Sequence, residues 1–318
     1  MRSMRVFDMF CGGGGGSLGA MLAGARIVAG AEIADYASST FQVNFPGARL
    51  FQGDLRLLRP ARVADSVGRI DLLLSSPECT NHTCAKGGQP RSEDSKETAL
   101  QVIRYARELR PRWVVLENVV HMRLWRRYPE LKMGLTELGY HIREQVLDAS
   151  SFGVPQKRRR LFLIADLRRM PPEIASRVRV TKPASSVLDS PGKWASSPLF
   201  TPKRAQATLE RAERAIAAVG RKSPFLLVYY GTDGGGGWQS LDLPLRTITT
   251  LDRFALVEPS PRGYMMRMLQ PSELKRAMGF PPSYSFPNGP RREKIRILGN
   301  AVCPPVMQHI VSALSEEK

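Results

Sequence analysis

The stretch Arg5-Val6-Phe7-Asp8-Met9-Phe10-Cys11-Gly12-Gly13-Gly14-Gly15-Gly16-Ser17-Leu18-Gly19-Ala20 decides the fold. Its first six residues read as a buried strand, and an Ala/Leu-rich helix follows to about Ala23. Glycines between a strand and a helix let the backbone approach a ligand and aim helix N–H groups at it. A glycine run alone is a weak sign, since many are flexible loops; the flanking strand and helix supply the required context. Two further strand ends continue the pattern. Residues 25–31 form a second strand that runs into Glu32, at the distance from the first glycine that suits a ribose diol. Residues 48–54 end in a second acid, Asp54, placed to accept from an adenine amino group. No Lys-Ser/Thr pair follows the glycines, which excludes a phosphate-transferring P-loop. The expectation is an α/β fold with a Rossmann-like sheet and a nucleotide-type cofactor.

A chain of 318 residues can bury one large core, or one core and a smaller lobe. No run of about 18 apolar residues occurs, so no membrane span is expected. Residues 1–5 lead straight into a strand without a signal-peptide pattern, and a cytoplasmic location is expected. The cysteines Cys11, Cys79, Cys84 and Cys303 form no Cys-x-x-Cys pair, and the four histidines are scattered. Free thiols in a reducing compartment are expected, with no metal site and no disulfide framework. The net charge of +18 points to a polyanionic partner, most often nucleic acid. Basic clusters at 123–127, 157–160 and 291–296 can neutralise phosphates, although they carry no sequence information. A merely basic surface is the plainer alternative.

A second apolar run, Ile70-Asp71-Leu72-Leu73-Leu74, continues as Ser75-Ser76-Pro77-Glu78-Cys79-Thr80. It presents Cys79 where a parallel sheet opens to solvent. Most single cysteines are small buried hydrophobes, so Cys79 gains meaning only from what surrounds it. Trp113-Val114-Val115-Leu116-Glu117-Asn118-Val119 is another buried strand with a carboxylate at its end. Gly153-Val154-Pro155-Gln156-Lys157-Arg158-Arg159-Arg160 precedes a further strand. Taken singly, these are a turn and a basic surface.

In this order, the segments resemble the cytosine-C5 DNA methyltransferase family. Residues 8–19 resemble its first motif, Asp-Leu-Phe-x-Gly-x-Gly-Gly-x-Ser. Pro77-Glu78-Cys79 resembles its Pro-Pro-Cys, Glu117-Asn118-Val119 its Glu-Asn-Val, and residues 153–160 its Gly-x-Pro-Gln-x-Arg-x-Arg. Residues 93–100 resemble the end of its mobile active-site loop, with Lys96 for the usual Arg, which makes 80–92 the lid. Residues 267–281 and 298–305 resemble the ninth and tenth motifs. The resemblance implies S-adenosylmethionine as cofactor. Phe10, Gly12 and Gly14 would line its methionine part, completed by Asn300 and Val302. Glu32 would hold the ribose, Ile33 the adenine ring and Asp54 the adenine amine, with Glu78 beside the transferred group. Cys79 would be the nucleophile. Glu117 would bind N3 and the exocyclic amine of the cytosine, braced by Asn118. Arg158 and Arg160 would contact the target base, Arg160 at its O2, and organise the Cys79 loop, while Lys157 and Arg159 face phosphates or solvent. Cys303 would be structural.

The implied chemistry accounts for these residue types. Carbon 5 of cytosine is a poor nucleophile, and a thiolate adding at carbon 6 makes it enamine-like. That addition is helped by a proton on N3, which calls for a carboxyl group. Carbon 6 is unreachable within a stack, so the base must flip out. The expected division is a catalytic domain over 1–166, a mostly β target-recognition domain over 167–262, and a support segment over 263–318 that returns to the first domain. Within the recognition region a helix is expected at 205–219 and strands at 225–230 and 245–250. Thr247-Ile248 resembles a pair usual there. The glycine loop 231–238 either enters a DNA groove or connects a hairpin. The expected protein is a monomer acting on double-stranded DNA, with a cognate restriction endonuclease as a further partner. Two alternatives stay open: a transfer-RNA cytosine-5 methyltransferase, and a catalytically impaired DNA-binding homologue. Glu78 is the support for impairment, because a carboxylate there can attract the sulfonium or raise the pKa of Cys79. It also leaves room for an unusual sulfonium donor.

Overall fold

A computed structural model describes residues 3–78, 97–176, 178, 180–230 and 236–316. The chain opens with β1 (Arg5–Met9), α1 (Gly15–Leu22), β2 (Arg26–Glu32), α2 (Asp35–Asn44), β3 (Arg49–Gln52), α3 (Pro60–Val67) and β4 (Leu72–Ser75). It continues with α4 (Gln101–Leu109), β5 (Trp113–Asn118), α5 (Tyr128–Glu137), β6 (His141–Asp148) and β7 (Arg159–Asp166). These strands build a seven-stranded sheet of order β3-β2-β1-β4-β5-β7-β6. Strands β1 to β5 are parallel, and β7 enters antiparallel between β5 and β6. The chain runs outward from β1 to β3 and then restarts at β4 on the other side of β1. Such a reversal opens a crevice at the carboxyl ends of the strands.

Both faces of the sheet are covered, so its central strands are apolar on both sides. Val6, Leu72, Leu74, Val115 and Ile164 share one core with Leu18, Met307, Ile310 and Leu314. Phe7, Met9, Leu73, Val114, Leu116 and Leu163 share the other with Val102, Tyr105, Leu131 and Leu135. The split follows the period-two alternation of a strand.

Most of the glycine run serves packing, which differs from the ligand-approach reading. A Cβ on Gly13 would lie 2.5 Å from Ile297 Cγ2, and one on Gly15 would lie 2.4 Å from the Val302 carbonyl oxygen. On Gly19 it would lie 2.4 Å from the Pro304 carbonyl oxygen. Gly12 alone of residues 12–16 faces open space, with φ at +53°. Beneath the loop, Ser17 Oγ donates to Asp8 Oδ2 at 2.6 Å. Burial pushes the Asp8 carboxyl up to about 7, against the opposing pull of that hydrogen bond.

The second sheet is antiparallel throughout. Its strands β8 (Ser197–Pro198), β9 (Phe225–Val228), β10 (Trp238–Ser240), β11 (Phe254–Ser260) and β12 (Gly263–Met268) stand in the order β10-β9-β11-β12-β8. Helix α6 (Gln206–Val219) covers it through Ala212 and Ala215. Two expectations need correction. Strand β12 lies beyond residue 262, because it forms a tight hairpin with β11. Residues 245–250 form no strand, only a single bridge from Leu245 to Gln156. Their backbone groups bond instead to residues 155–158. Leu245 N donates to the Pro155 carbonyl at 3.0 Å, and Ile248 N donates to Gln156 Oε1 at 2.8 Å.

Three helices close the chain: α7 (Pro271–Ala277), α8 (Arg291–Asn300) and α9 (Pro304–Glu316). Arg267 grips Glu273 of α7 through two hydrogen bonds of 2.8 and 2.7 Å, in full burial. The stretch Arg291–Glu316 is long and apolar enough by composition to cross a bilayer. It breaks between α8 and α9, and α9 packs against α1 in the core.

Two outcomes follow from this packing. Gly19→Ala places a methyl group against backbone atoms of α9 and should lower stability by about 1–3 kcal/mol, measured by denaturant unfolding. Asp8→Asn should change the pH dependence of folding. In the wild type the unfolded chain loses the Asp8 proton first as pH rises from 3.8 to about 7, so stability falls through that window. The Asn variant should gain on wild type across it, by on the order of 2–4 kcal/mol above it, and match it below. Parallel denaturation curves over the whole range would refute this.

Candidate active site

The crevice at the carboxyl ends of β1 to β4 holds a cavity of about 360 Å³. Phe10 leaves β1 in the left-handed region, with φ at 55°, and lines this cavity. Glu32, at the end of β2, lines it too. Its carboxylate accepts from the backbone N–H groups of Gly12 at 2.9 Å, Ile33 at 3.0 Å and Ala34 at 2.9 Å. The acid therefore holds the open end of the glycine loop as well as facing the cavity. Ile33 is 65% exposed and gives the wall an apolar surface. Asp54 follows β3. Arg56 donates to it from Nη2 at 2.6 Å and from its backbone N at 2.9 Å, which holds the carboxyl below its ordinary range. Glu78 and Thr98 line the cavity as well. Three carboxylates against one guanidinium favour a cationic ligand.

A second, much narrower cleft lies between β5, β7 and the turn before α9. Glu117, Arg160, Phe162, Val302 and Cys303 line it. Glu117 is 6% exposed, and burial raises its pKa although Arg160 and Arg158 pull it down. Arg160 Nε lies 3.2 Å from Glu117 Oε1. A buried carboxyl with a raised pKa, beside one guanidinium, can hold a proton for an entering ring nitrogen. Asn118 Nδ2 donates to the Pro77 carbonyl at 3.1 Å. That bond ties the end of β5 to the chain leaving β4, one residue before Glu78. Burial pushes the Cys303 thiol up to about 11, which leaves it unreactive at neutral pH.

Arg158 also lines this cleft, and its guanidinium is committed to backbone carbonyls. It is 2% exposed and donates to the carbonyls of Ile248 at 2.9 Å, Gly299 at 2.7 Å and Ala301 at 3.1 Å. Those carbonyls belong to a linker and a helix end that offer no backbone donors of their own to each other, and a guanidinium fork can satisfy all three. Among the residues expected to hold a cofactor, Phe10, Glu32, Ile33, Asp54 and Glu78 come together in one cavity, with Gly12 bonded to Glu32 at its edge. Gly14 does not join them. A Cβ there would lie 2.5 Å from Phe45 Cε2 and 2.7 Å from Tyr284 Oη. Asn300 is exposed at the end of α8, and Val302 lines the narrower cleft, so neither lines the larger cavity. Cys79 lies outside the described residues, as do Lys96, the expected lid and residues 231–235 of the glycine loop.

The basic clusters are partly paired. Arg123 meets Glu144 at 2.5 Å, Arg127 meets Glu130 at 2.6 Å, and Arg291 meets Asp252 at 2.8 Å. Lys157 and Arg159 are exposed. Sequence reasoning missed Arg56 and Thr98 as lining residues. It also missed Gln156, which is fully buried, accepts from Ile248 N and donates to the Ala277 carbonyl at 3.3 Å. Tyr284 was missed as well: its hydroxyl donates to the Gly13 carbonyl. The aromatic spacing of Phe280, Tyr284 and Phe286 marks a cluster, but nothing in it points to residue 13.

Comparison with known proteins fits this geometry. The family described as C-5 cytosine-specific DNA methylase matches residues 4–316. The chain is similar to the type II methyltransferase M.HgiDI of Herpetosiphon aurantiacus, 31% identical over 223 residues that cover 70% of each protein. It is also similar to the type II methyltransferase M.HaeII of Haemophilus aegyptius, 24% identical over 321 residues, 99% of this chain and 93% of that one. The Entamoeba histolytica methyltransferase EhMeth shares the fold, with a TM-score of 0.72 at 16% identity over 100% of this chain and 99% of that one. So does S. pombe Dnmt2 methyltransferase, with a TM-score of 0.68 at 20% identity over 99% of each. With a match that runs from the first strand to the last helix, the chain belongs to the C-5 cytosine-specific DNA methylase family, and its class is that of the DNA (cytosine-5-)-methyltransferases.

Proposed function

We propose that this protein methylates carbon 5 of a flipped-out cytosine in double-stranded DNA, through a covalent adduct with Cys79. The observation that carries the reading is the buried Glu117–Arg160 pair, held beside the chain that leads to Cys79 by the Asn118–Pro77 bond. A carboxyl with so little exposure meets a base only after that base has left its stack.

The larger cavity fits S-adenosylmethionine in its donor set. Glu32 would take the ribose hydroxyls, the exposed face of Ile33 the purine, and Asp54 the adenine amine. Glu78 adds a negative charge that complements a sulfonium. When bound, S-adenosylmethionine supplies the methyl group as an electrophile. The chain's own residues prepare the base to receive it. The Cys79 thiolate forms a bond to carbon 6, and Glu117 delivers its proton to N3. Arg160 fixes the Glu117 carboxyl from the side and is aimed at O2 of the ring. Loss of the carbon-5 proton and departure of the thiolate restore the aromatic base. The exposed Lys157 and Arg159, next to the cleft, suit phosphates of the flanking strand. A carboxylate at position 78 is compatible with this chemistry and needs no other donor.

Duplex DNA carrying 5-fluorocytosine should trap the wild type as a denaturation-resistant complex in the presence of S-adenosylmethionine, and Cys79→Ala should form none. A complex on transfer RNA and none on the duplex would move the assignment to RNA. Glu117→Gln should lower kcat by about 100- to 1,000-fold, because an amide cannot deliver a proton. The raised pKa of Glu117 keeps its protonated, active form present at higher pH than in an ordinary glutamate. The wild-type rate should therefore fall on the alkaline side as that proton is lost. A pH–rate profile of the Gln variant should lack this limb, and its persistence would remove Glu117 as the proton donor.

A further inference from the structure

We infer that Tyr284 is a positioning residue for the cofactor loop, acting on it from the side away from the ligand cavity. The inference rests on the cofactor reading proposed above. Tyr284 does not line the larger cavity. It is 5% exposed and belongs to an aromatic cluster, with ring centroids 4.8 Å from Phe280, 6.2 Å from Phe286 and 6.4 Å from Phe45. From that cluster its hydroxyl donates to the Gly13 carbonyl.

The loop's own bonds show why one hydroxyl matters. Gly14 N donates to the Cys11 carbonyl at 2.7 Å, closing a tight turn over residues 11–14. Gly12 N donates to Glu32 at 2.9 Å on the cavity side. Gly12 and Gly14 both have positive φ, a region glycine enters and leaves at little cost. The turn therefore has few internal restraints. With the Gly13 carbonyl held by Tyr284, the peptide planes on either side are fixed. The N–H of Gly12 stays on Glu32, and Glu32 stays aimed at the cavity. Without the hydroxyl, a buried carbonyl loses its partner, and the turn can rotate to recover one. That rotation takes the Gly12 N–H off Glu32 and leaves the carboxylate held from Ile33 and Ala34 alone.

A mere stiffening of the C-terminal segment would look different, and the fold contains its control. Tyr36 Oη donates to the Pro287 carbonyl at 2.8 Å. It joins the same segment to α2 by the same chemistry, without touching the glycine loop.

The experiment compares the full-length wild type, Tyr284→Phe and Tyr36→Phe. Calorimetry measures the Kd for S-adenosylhomocysteine, and amide hydrogen exchange follows residues 11–16 and the second sheet. For Tyr284→Phe the Kd should rise about 5- to 10-fold. Exchange should accelerate at residues 11–16 and stay unchanged in β11 and β12. Tyr36→Phe should match wild type in Kd and in loop exchange. An unchanged Kd for Tyr284→Phe, an equal loss in both variants, or loss of protection throughout the second sheet would overturn the inference. If wild type itself fails to bind S-adenosylhomocysteine, the cofactor reading falls, and the inference falls with it; that result is distinct from the other three.

Discussion

The structure depends on how closely the C-terminal segment can approach the glycine run. Gly13, Gly15 and Gly19 each leave room for an atom of that segment at less than 3 Å from where a side chain would begin. Any other residue at these points would push α8 or the start of α9 away from β1. The narrower cleft would lose its wall at Val302 and Cys303, and the Arg158 fork would lose two of its three carbonyls. One steric allowance thus fixes a wall of the narrower cleft.

The two clefts then use burial in opposite ways. Glu32 accepts from backbone N–H groups at the edge of the larger cavity, and Arg56 holds the Asp54 carboxyl below its ordinary range. Glu117 is deeply buried, and desolvation outweighs its two arginines, so its pKa is raised. The same carboxyl group is thus set in opposite directions by its depth and by the cations beside it. Arg160 remains beside Glu117, close enough to orient it.

Much of the fold was legible because strand ends speak locally. A glycine turn after β1, an acid after β2 and an acid after β3 can each be read within a few residues, and all three line or border one cavity. The Glu117 strand was legible for the same reason. What was not legible depends on contacts between distant segments. Arg158 reads as one more cation in a run of four, yet its three partners lie 90 to 143 residues away. Residues 245–250 carry a β-branched, strand-like pattern, but the bonds that hold them come from residues 155–158, so no sheet forms. β11 and β12 pair through a hairpin that closes at Ser260 and Gly263, and Met-rich β12 carries little β signal of its own. The five consecutive glycines suggested open backbone throughout, whereas only Gly12 is open.

The packing of first residues on last residues has a consequence for biosynthesis. A ribosome delivers the glycine run well before α8 and α9, which follow some 280 residues later. Contacts of such sequence separation form slowly, after the loop between them has closed. Until then the nascent sheet exposes the face that Met307, Ile310 and Leu314 will cover, an apolar surface on which chaperones act. The glycine run can meet α8 and α9 only after the second sheet, which lies between them in the chain, has also been synthesised.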